Sequence, residues 1–218
     1  MAALKARGRF ITLEGGEGAG KSGHAKRLAA WLKGQGIGVL VTREPGGSPR
    51  AETLRKMLLS GRFVSHGPET EALAFALARA DHLAVTIRPA LKVGTWVICD
   101  RFMDSTRAYQ GAAGADAALL DLLDEIVVGS DRPDLTLILD VPAEAGLKRT
   151  QGREGGPDRF ERDAIELHDA RRRVFLEIAA REPKRCAVID TTQNKVVVAK
   201  AIRKAVSERL LTRAGKRA

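Results

Sequence analysis

The 218-residue chain is 44% hydrophobic, enough for one domain with a full core, and no apolar run approaches the ~18 residues of a membrane-spanning helix. The basic start Met1–Gly8 has neither the apolar centre nor the cleavage pattern of a secretory signal, so a cytoplasmic protein without membrane contact is expected. A net charge of +10 suits a polyanionic small substrate; a nucleic-acid partner is not expected, because the basic residues are scattered, the one compact cluster is the tail Arg213–Arg217, and a single tyrosine leaves no platform for stacked bases.

Short apolar segments rich in β-branched residues predict strands at 9–14, 37–42, 95–100, 134–140 and 186–190, with helices of long polar faces between them. This alternation predicts an α/β fold: a doubly wound sheet of five parallel strands with helices on both faces, as a single domain over residues 1–218. Cys99 and Cys186 each fall in or beside such a strand and read as small buried hydrophobes rather than a disulfide. Ligands of such folds bind beyond the carboxyl ends of the strands. Polar groups that follow strands are therefore the candidates for function.

The first strand, Phe10–Leu13, runs into Gly15-Gly16-Glu17-Gly18-Ala19-Gly20-Lys21-Ser22, and a helix is predicted over His24–Leu32. The pattern G-x-x-x-x-G-K-[ST] between strand and helix is a phosphate cradle. Its glycines let successive N–H groups point inward, the helix adds its N-terminal partial charge, Lys21 reaches β- and γ-phosphates, and Ser22 offers a hydroxyl to Mg²⁺. After the second strand, Arg43-Glu44-Pro45-Gly46-Gly47-Ser48-Pro49 is too rich in proline and glycine for helix or strand and reads as a rigid shaped loop or a plain turn. Phe75 and Arg79 lie four apart on a predicted helix and share a face, where a ring and a guanidinium could stack on and hydrogen-bond a base; Phe75 fits a plain core position as well. The third strand closes on Asp100-Arg101, a carboxylate able to hold Mg²⁺ through water beside a planar fork suited to phosphate. Late in the chain Arg149 and Arg159 flank, and Arg153 lies within, the Gly-rich stretch Gly152–Pro157, and the group reads as a cation-bearing lid over about 149–161 or as a solvated basic face. Arg171–Arg173 lies in a long polar helix and reads as solvated.

Leu13–Ser22, Thr42–Ser48, Phe75-x-x-x-Arg79 and Asp100-Arg-Phe-x-x-Ser-x-x-Ala-Tyr-Gln110 occur in an order that resembles the thymidylate kinases, from about residue 9 to about 210. The resemblance implies a P-loop NTPase-type fold, ATP and dTMP as substrates, Mg²⁺ as cofactor and a homodimer with helices near the third strand at its interface. It implies that residues Gly15 to Ser22, with Arg149 and Arg153, bind ATP, and that Ser22 and Asp100 serve the metal. Glu17, Arg43, Pro45, Phe75, Arg79, Arg101, Ser105, Tyr109 and Gln110 would then face the monophosphate. Glu17 approaches the sugar 3′-hydroxyl, Arg101 bridges the two phosphates, Phe75 stacks on thymine, Arg79 meets the base edge, and Tyr109 crowds the 2′ position. Glu17-Gly18-Ala19 carries no arginine while Arg153 stands in the lid, as in the bacterial branch with a lid arginine, so Lys21, Arg101, Arg153 and Glu17 are the expected catalytic groups. Gly23-His24, Ser48 and Phe102 depart from the commonest family residues, and the lid spacing differs slightly, which leaves Arg149 against Arg153 open. Two alternatives remain from the sequence. One is a kinase for another nucleoside or nucleotide. The other is a P-loop switch ATPase acting on DNA, although no residue is evident to position an attacking water.

Overall fold

A computed structural model describes residues 6–151 and 159–211. The elements run β1 (Phe10–Glu14), α1 (Lys21–Lys33), β2 (Val39–Arg43), α2 (Pro49–Leu59), α3 (Gly67–His82), α4 (Arg88–Lys92), β3 (Trp96–Asp100), α5 (Met103–Ala112), α6 (Ala117–Val127), β4 (Leu135–Asp140), α7 (Ala143–Thr150), α8 (Ile165–Arg181), β5 (Cys186–Asp190) and α9 (Lys195–Val206). The five strands form one parallel sheet in the order β2-β3-β1-β4-β5. The expected fold class holds, and the strand bounds differ from the predicted ones by a residue or two.

The central strand β1 is buried along its whole length, which is why its sequence is apolar almost without alternation. Its odd positions, Ile11 and Leu13, pack with Ile98, Leu135 and Leu137 under α1 and α9, against Leu28, Leu32, Val198 and Ile202. Each of these buried leucines contributes about 2 kcal/mol relative to an exposed one. On the other face Phe10, Val97 and Cys99 meet Phe102 and the segment Leu83–Ile87, and Ile138 meets Tyr109, Phe175 and Ile178 of α5 and α8. Cys99 and Cys186 are buried free thiols. Because all strands are parallel, their carboxyl ends lie on one side. In register there are Leu13 against Asp100, Arg43 against Asp100, and Glu14 against Ile138. The loops that follow β1, β2 and β3 therefore meet at one edge, beside α3 and α5.

Among the described residues no helix is long and apolar enough to cross a membrane. The Gly152–Pro157 stretch, Arg153 and the tail 212–218 lie outside the described residues.

Candidate active site

The loop after β1 needs its glycines for space as well as for conformation. Gly15 has φ 130° and a Cβ there would stand 2.3 Å from the Leu139 carbonyl oxygen; at Gly18, φ 67°, it would stand 1.9 Å from that of Gly146. The loop is thus wedged against β4 and α7, and α1 begins immediately at Lys21. Lys21 is buried, and its Nζ donates to the Gly15 and Gly16 carbonyls at 3.0 and 2.7 Å. Burial, then the nearby Arg101 charge, lower its pKa to about 8, with Glu17 and Asp100 pulling the other way. Ser22 Oγ donates to Asp100 Oδ2, so the hydroxyl of the loop and the carboxylate of β3 are in direct contact.

Arg101 is the hub. Its φ of 68° is left-handed, a conformation that costs a residue with a side chain about 1–2 kcal/mol. Its surroundings over-determine it: the Arg101 N–H donates to Leu13, and the Cys99 thiol donates to the Arg101 carbonyl. The guanidinium donates to Glu17 Oε1 at 2.6 Å, Tyr109 Oη at 2.8 Å, the Gly15 carbonyl at 3.1 Å and Ser105 Oγ at 3.2 Å, and it lies over the Tyr109 ring. Tyr109 in turn donates to Glu17 Oε1 at 2.5 Å. Burial alone would raise the Glu17 pKa, but Arg101, Lys21 and the Tyr109 hydroxyl outweigh it and hold the group at about 2. Glu17 is therefore an anion at neutral pH.

The loop after β2, whose Glu44–Pro45 bond is cis, folds against α3. Gly47 has φ 83°, and a Cβ there would collide with His82 and Thr42. Arg79 is only 2% exposed; its Nε donates to Glu44 Oε2 at 2.8 Å, its Nη2 donates to Thr106 Oγ1 at 2.9 Å, and Asp124 is 3.9 Å away. His82 pairs with the other Glu44 oxygen and with Thr42. Arg43 pairs with Glu52, and the Pro45 carbonyl accepts from Arg55.

These loops surround one cleft of about 400 Å³. Glu17, Lys21, Ser22 and Asp100 line it, as do Phe75, Arg79 and Gln110, together with Arg43, Pro45, Ser105, Tyr109 and Arg101. Gly18 and Gly20 reach its surface, while Ala19 is buried in the core. Phe75 is half-buried on the wall rather than a core residue. Arg149 points elsewhere: from α7 its Nη1 donates to the Thr191 carbonyl beyond β5 at 3.0 Å.

Three findings depart from the sequence reading. Arg171 is not solvated; it is 3% exposed, pairs with Asp163, and its guanidinium lies 4.4 Å from the Tyr109 ring centroid. The helix looked polar throughout, yet α8 packs on α5, and a planar cation is what fits over that ring. Arg172 pairs with Asp140 and is about one-third exposed. Arg159 is not part of a free basic face: it donates to Glu71 Oε1 at 2.5 Å and stacks on Phe160, which lines the cleft.

Glu14 was given no role by its sequence position, though a carboxylate ending a buried strand one residue before a phosphate loop is a signal. It is fully buried, accepting from the Phe102 N–H at 2.7 Å and Ser105 Oγ at 2.5 Å; burial and then Asp104 push its pKa up to about 8. It fixes the turn that aims Arg101.

The family model described as thymidylate kinase matches residues 13–202. The chain belongs to the thymidylate kinase family. It is 52% identical over 217 residues to the thymidylate kinase of Bradyrhizobium sp. (strain ORS 278), covering 97% of this chain and 96% of that protein. It is 53% identical over 207 residues to that of Afipia carboxidovorans, covering 94% and 91%. The crystal structure of thymidylate kinase from Ehrlichia chaffeensis superposes with a TM-score of 0.76 at 32% identity, over 92% of this chain and 99% of that one. In this thymidylate kinase fold the phosphate loop, the Arg43–Pro49 loop and the Asp100–Gln110 segment all open onto the same cleft.

Proposed function

We propose that the chain transfers the γ-phosphoryl group of ATP to thymidine 5′-monophosphate, giving the diphosphate and ADP. One observation carries this reading. The phosphate loop and the Phe75/Arg79/Gln110 wall belong to the same cleft, with Arg101 and Glu17 joined to each other on its lining. A switch ATPase would need the first part without the second.

Little covalent chemistry is asked of the protein, because an acceptor phosphate oxygen is already an anionic nucleophile; positioning and charge neutralisation do the work. On this reading Lys21 and the loop N–H groups hold the donor phosphates. Arg101 bridges donor and acceptor, and Glu17 and Tyr109 orient the sugar. Phe75 stacks on the base, Arg79 meets its edge, and the Gln110 amide faces it. Arg43, Pro45 and Ser105 complete the acceptor wall, Arg153 serves ATP directly, and Arg149 serves it through the segment after β5 that it holds at Thr191. Ser22 and Asp100 fit Mg²⁺: they are hard oxygen donors already in contact, suited to an ion that shares its shell with substrate phosphates and water. When bound, Mg²⁺ neutralises charge on the phosphates. A homodimer is proposed as well. It is supported by Leu73 and Leu77 on α3 and Leu122 and Ile126 on α6, all at least half exposed or nearly so.

A panel of nucleoside monophosphates with ATP and Mg²⁺, read as ADP formation, tests the assignment. ADP should form fastest with dTMP. Equal rates across bases would mean that the wall does not read the base.

Two further results are expected. Tyr109 presents its ring to the cleft and its hydroxyl to Glu17. Tyr109→Phe should keep most of the preference for deoxyribonucleotides while lowering turnover about tenfold or more, what loss of a hydrogen bond to a charged group gives. Tyr109→Ala should lose the preference, and an unchanged preference there would show that the sugar is read elsewhere. The pH profile follows from Lys21. A lysine with its pKa lowered to about 8 is charged below that pH and loses the charge above it. Thus kcat/KM for ATP should fall above about pH 8, whereas kcat should stay level there, since bound phosphates restore the ammonium. A profile of kcat/KM that stays flat to pH 9.5 would contradict this.

A further inference from the structure

We propose that Glu71 is a positioning residue that sets which end of the Gln110 amide meets the nucleobase. It thereby favours bases that offer an N–H at position 3 over bases that offer a lone pair there. The proposal rests on the reading above in which Gln110 faces the base.

Glu71, Phe75 and Arg79 lie at four-residue spacing on α3 and so share one face. Glu71 is 7% exposed and Gln110 is 1% exposed. Gln110 Nε2 donates to Glu71 Oε2 at 2.8 Å. A carboxylate can only accept, so the nitrogen is the end of the amide that must face it. The other Glu71 oxygen accepts from Arg159 Nη2 at 2.5 Å, so the carboxylate is held from both sides. Gln110 Oε1 is left buried with no partner among the described residues, on a residue that lines the cleft. A buried acceptor in that state needs a donor, and none of the described residues supplies one. Thymine and uracil carry N3–H and can satisfy it; cytosine presents the N3 lone pair and cannot. An amide by itself would be indifferent, since it can turn and offer its NH₂ instead. Glu71 removes that freedom, because turning would set the Gln110 oxygen against a carboxylate. Specificity comes here from leaving the wrong partner unpaired as well as from pairing the right one.

The test is the ratio of kcat/KM for dTMP to kcat/KM for dCMP. Glu71→Gln keeps shape but can donate, so the Gln110 amide can turn, and the ratio should fall about tenfold or more. Glu71→Met offers neither charge nor acceptor; it should give the same fall and serves where the glutamine variant does not fold. Glu71→Asp still only accepts and should keep the ratio within about threefold of wild type. A role confined to packing or to holding Arg159 gives the opposite order, with the shortened aspartate worse than the isosteric glutamine, and that order would overturn the proposal. In each variant the KM for ATP should stay unchanged. Gln110→Met separates the two levels. If it leaves the ratio at the wild-type value, the base reading of Gln110 has failed. If it loses the ratio while Glu71→Gln and Glu71→Met keep it, the reading stands and the role of Glu71 is refuted.

Discussion

Lys21→Ala lowers turnover at least about a hundredfold, the size expected on losing a preorganised electrostatic donor. Nζ is held by two loop carbonyls, at Gly15 and Gly16, so the ammonium waits at the phosphate cradle rather than being recruited to it. Little reorganisation is then needed when charge builds on the transferred group. Its burial strengthens the interaction, because water that would screen it is excluded. The same burial lowers its pKa to about 8, so the site holds a cation close to the limit of remaining charged. Such a contact matters more in the transition state than in the ground state. The loss should therefore appear in kcat more than in KM for ATP. Steady-state kinetics with dTMP saturating decide the point, and a variant with near-normal turnover would remove the phosphate-loop assignment.

Arg153→Ala lowers turnover about 10³-fold, as the loss of an arginine supplied to a phosphoryl group does in related transfers. Glu17-Gly18-Ala19 has no arginine to do this work. Arg101, oriented by Glu17 and Tyr109, already has in the proposed mechanism the separate task of bridging donor and acceptor phosphates. Arg149, the competing lid residue, holds the Thr191 carbonyl from α7 and joins that helix to the segment after β5. Arg149→Ala should thus act mainly on KM for ATP. Arg153→Lys should recover only part of the rate, for lack of a bidentate fork. Stopped-flow or steady-state measurement on the four variants, including Arg149→Lys, resolves the pair. If Arg149→Ala collapses turnover and Arg153→Ala does not, the lid is displaced by one helical turn from the proposed alignment; if neither matters, the lid mechanism fails.

The parts legible in the sequence are those whose meaning is local. The phosphate loop is contiguous, so its glycines, Lys21 and Ser22 can be read without knowing what packs around them. The inner strands β1, β3 and β4 are legible because burial on both faces leaves them apolar at nearly every position, and the partly exposed edge strands β2 and β5 because they are short and rich in valine and isoleucine. Helical spacing puts Phe75 and Arg79 on one face, but it leaves Phe75 open as a plain core position, and the resemblance to the family is needed to read the two as a pair facing the base. What escaped depends on partners far apart in the chain. Arg79 is held by Glu44 and Thr106, 35 and 27 residues away, and no spacing rule links them. Arg171 has the composition of a solvated helix face, but α5 brings the ring of Tyr109 under it. Glu71 shares the spacing of Phe75 and Arg79; only the meeting with Gln110 from α5 and Arg159 from beyond α7 gives it a role. Glu44 lies within the Arg43–Pro49 segment itself, yet its partners Arg79 and His82 come from α3.

The most direct test of the central claim follows the phosphoryl group. With ATP labelled at the γ-phosphate, Mg²⁺ and dTMP, one labelled dTDP should appear for each ADP, and omission of dTMP should stop both. Label released as inorganic phosphate at the same rate with and without dTMP would contradict the account.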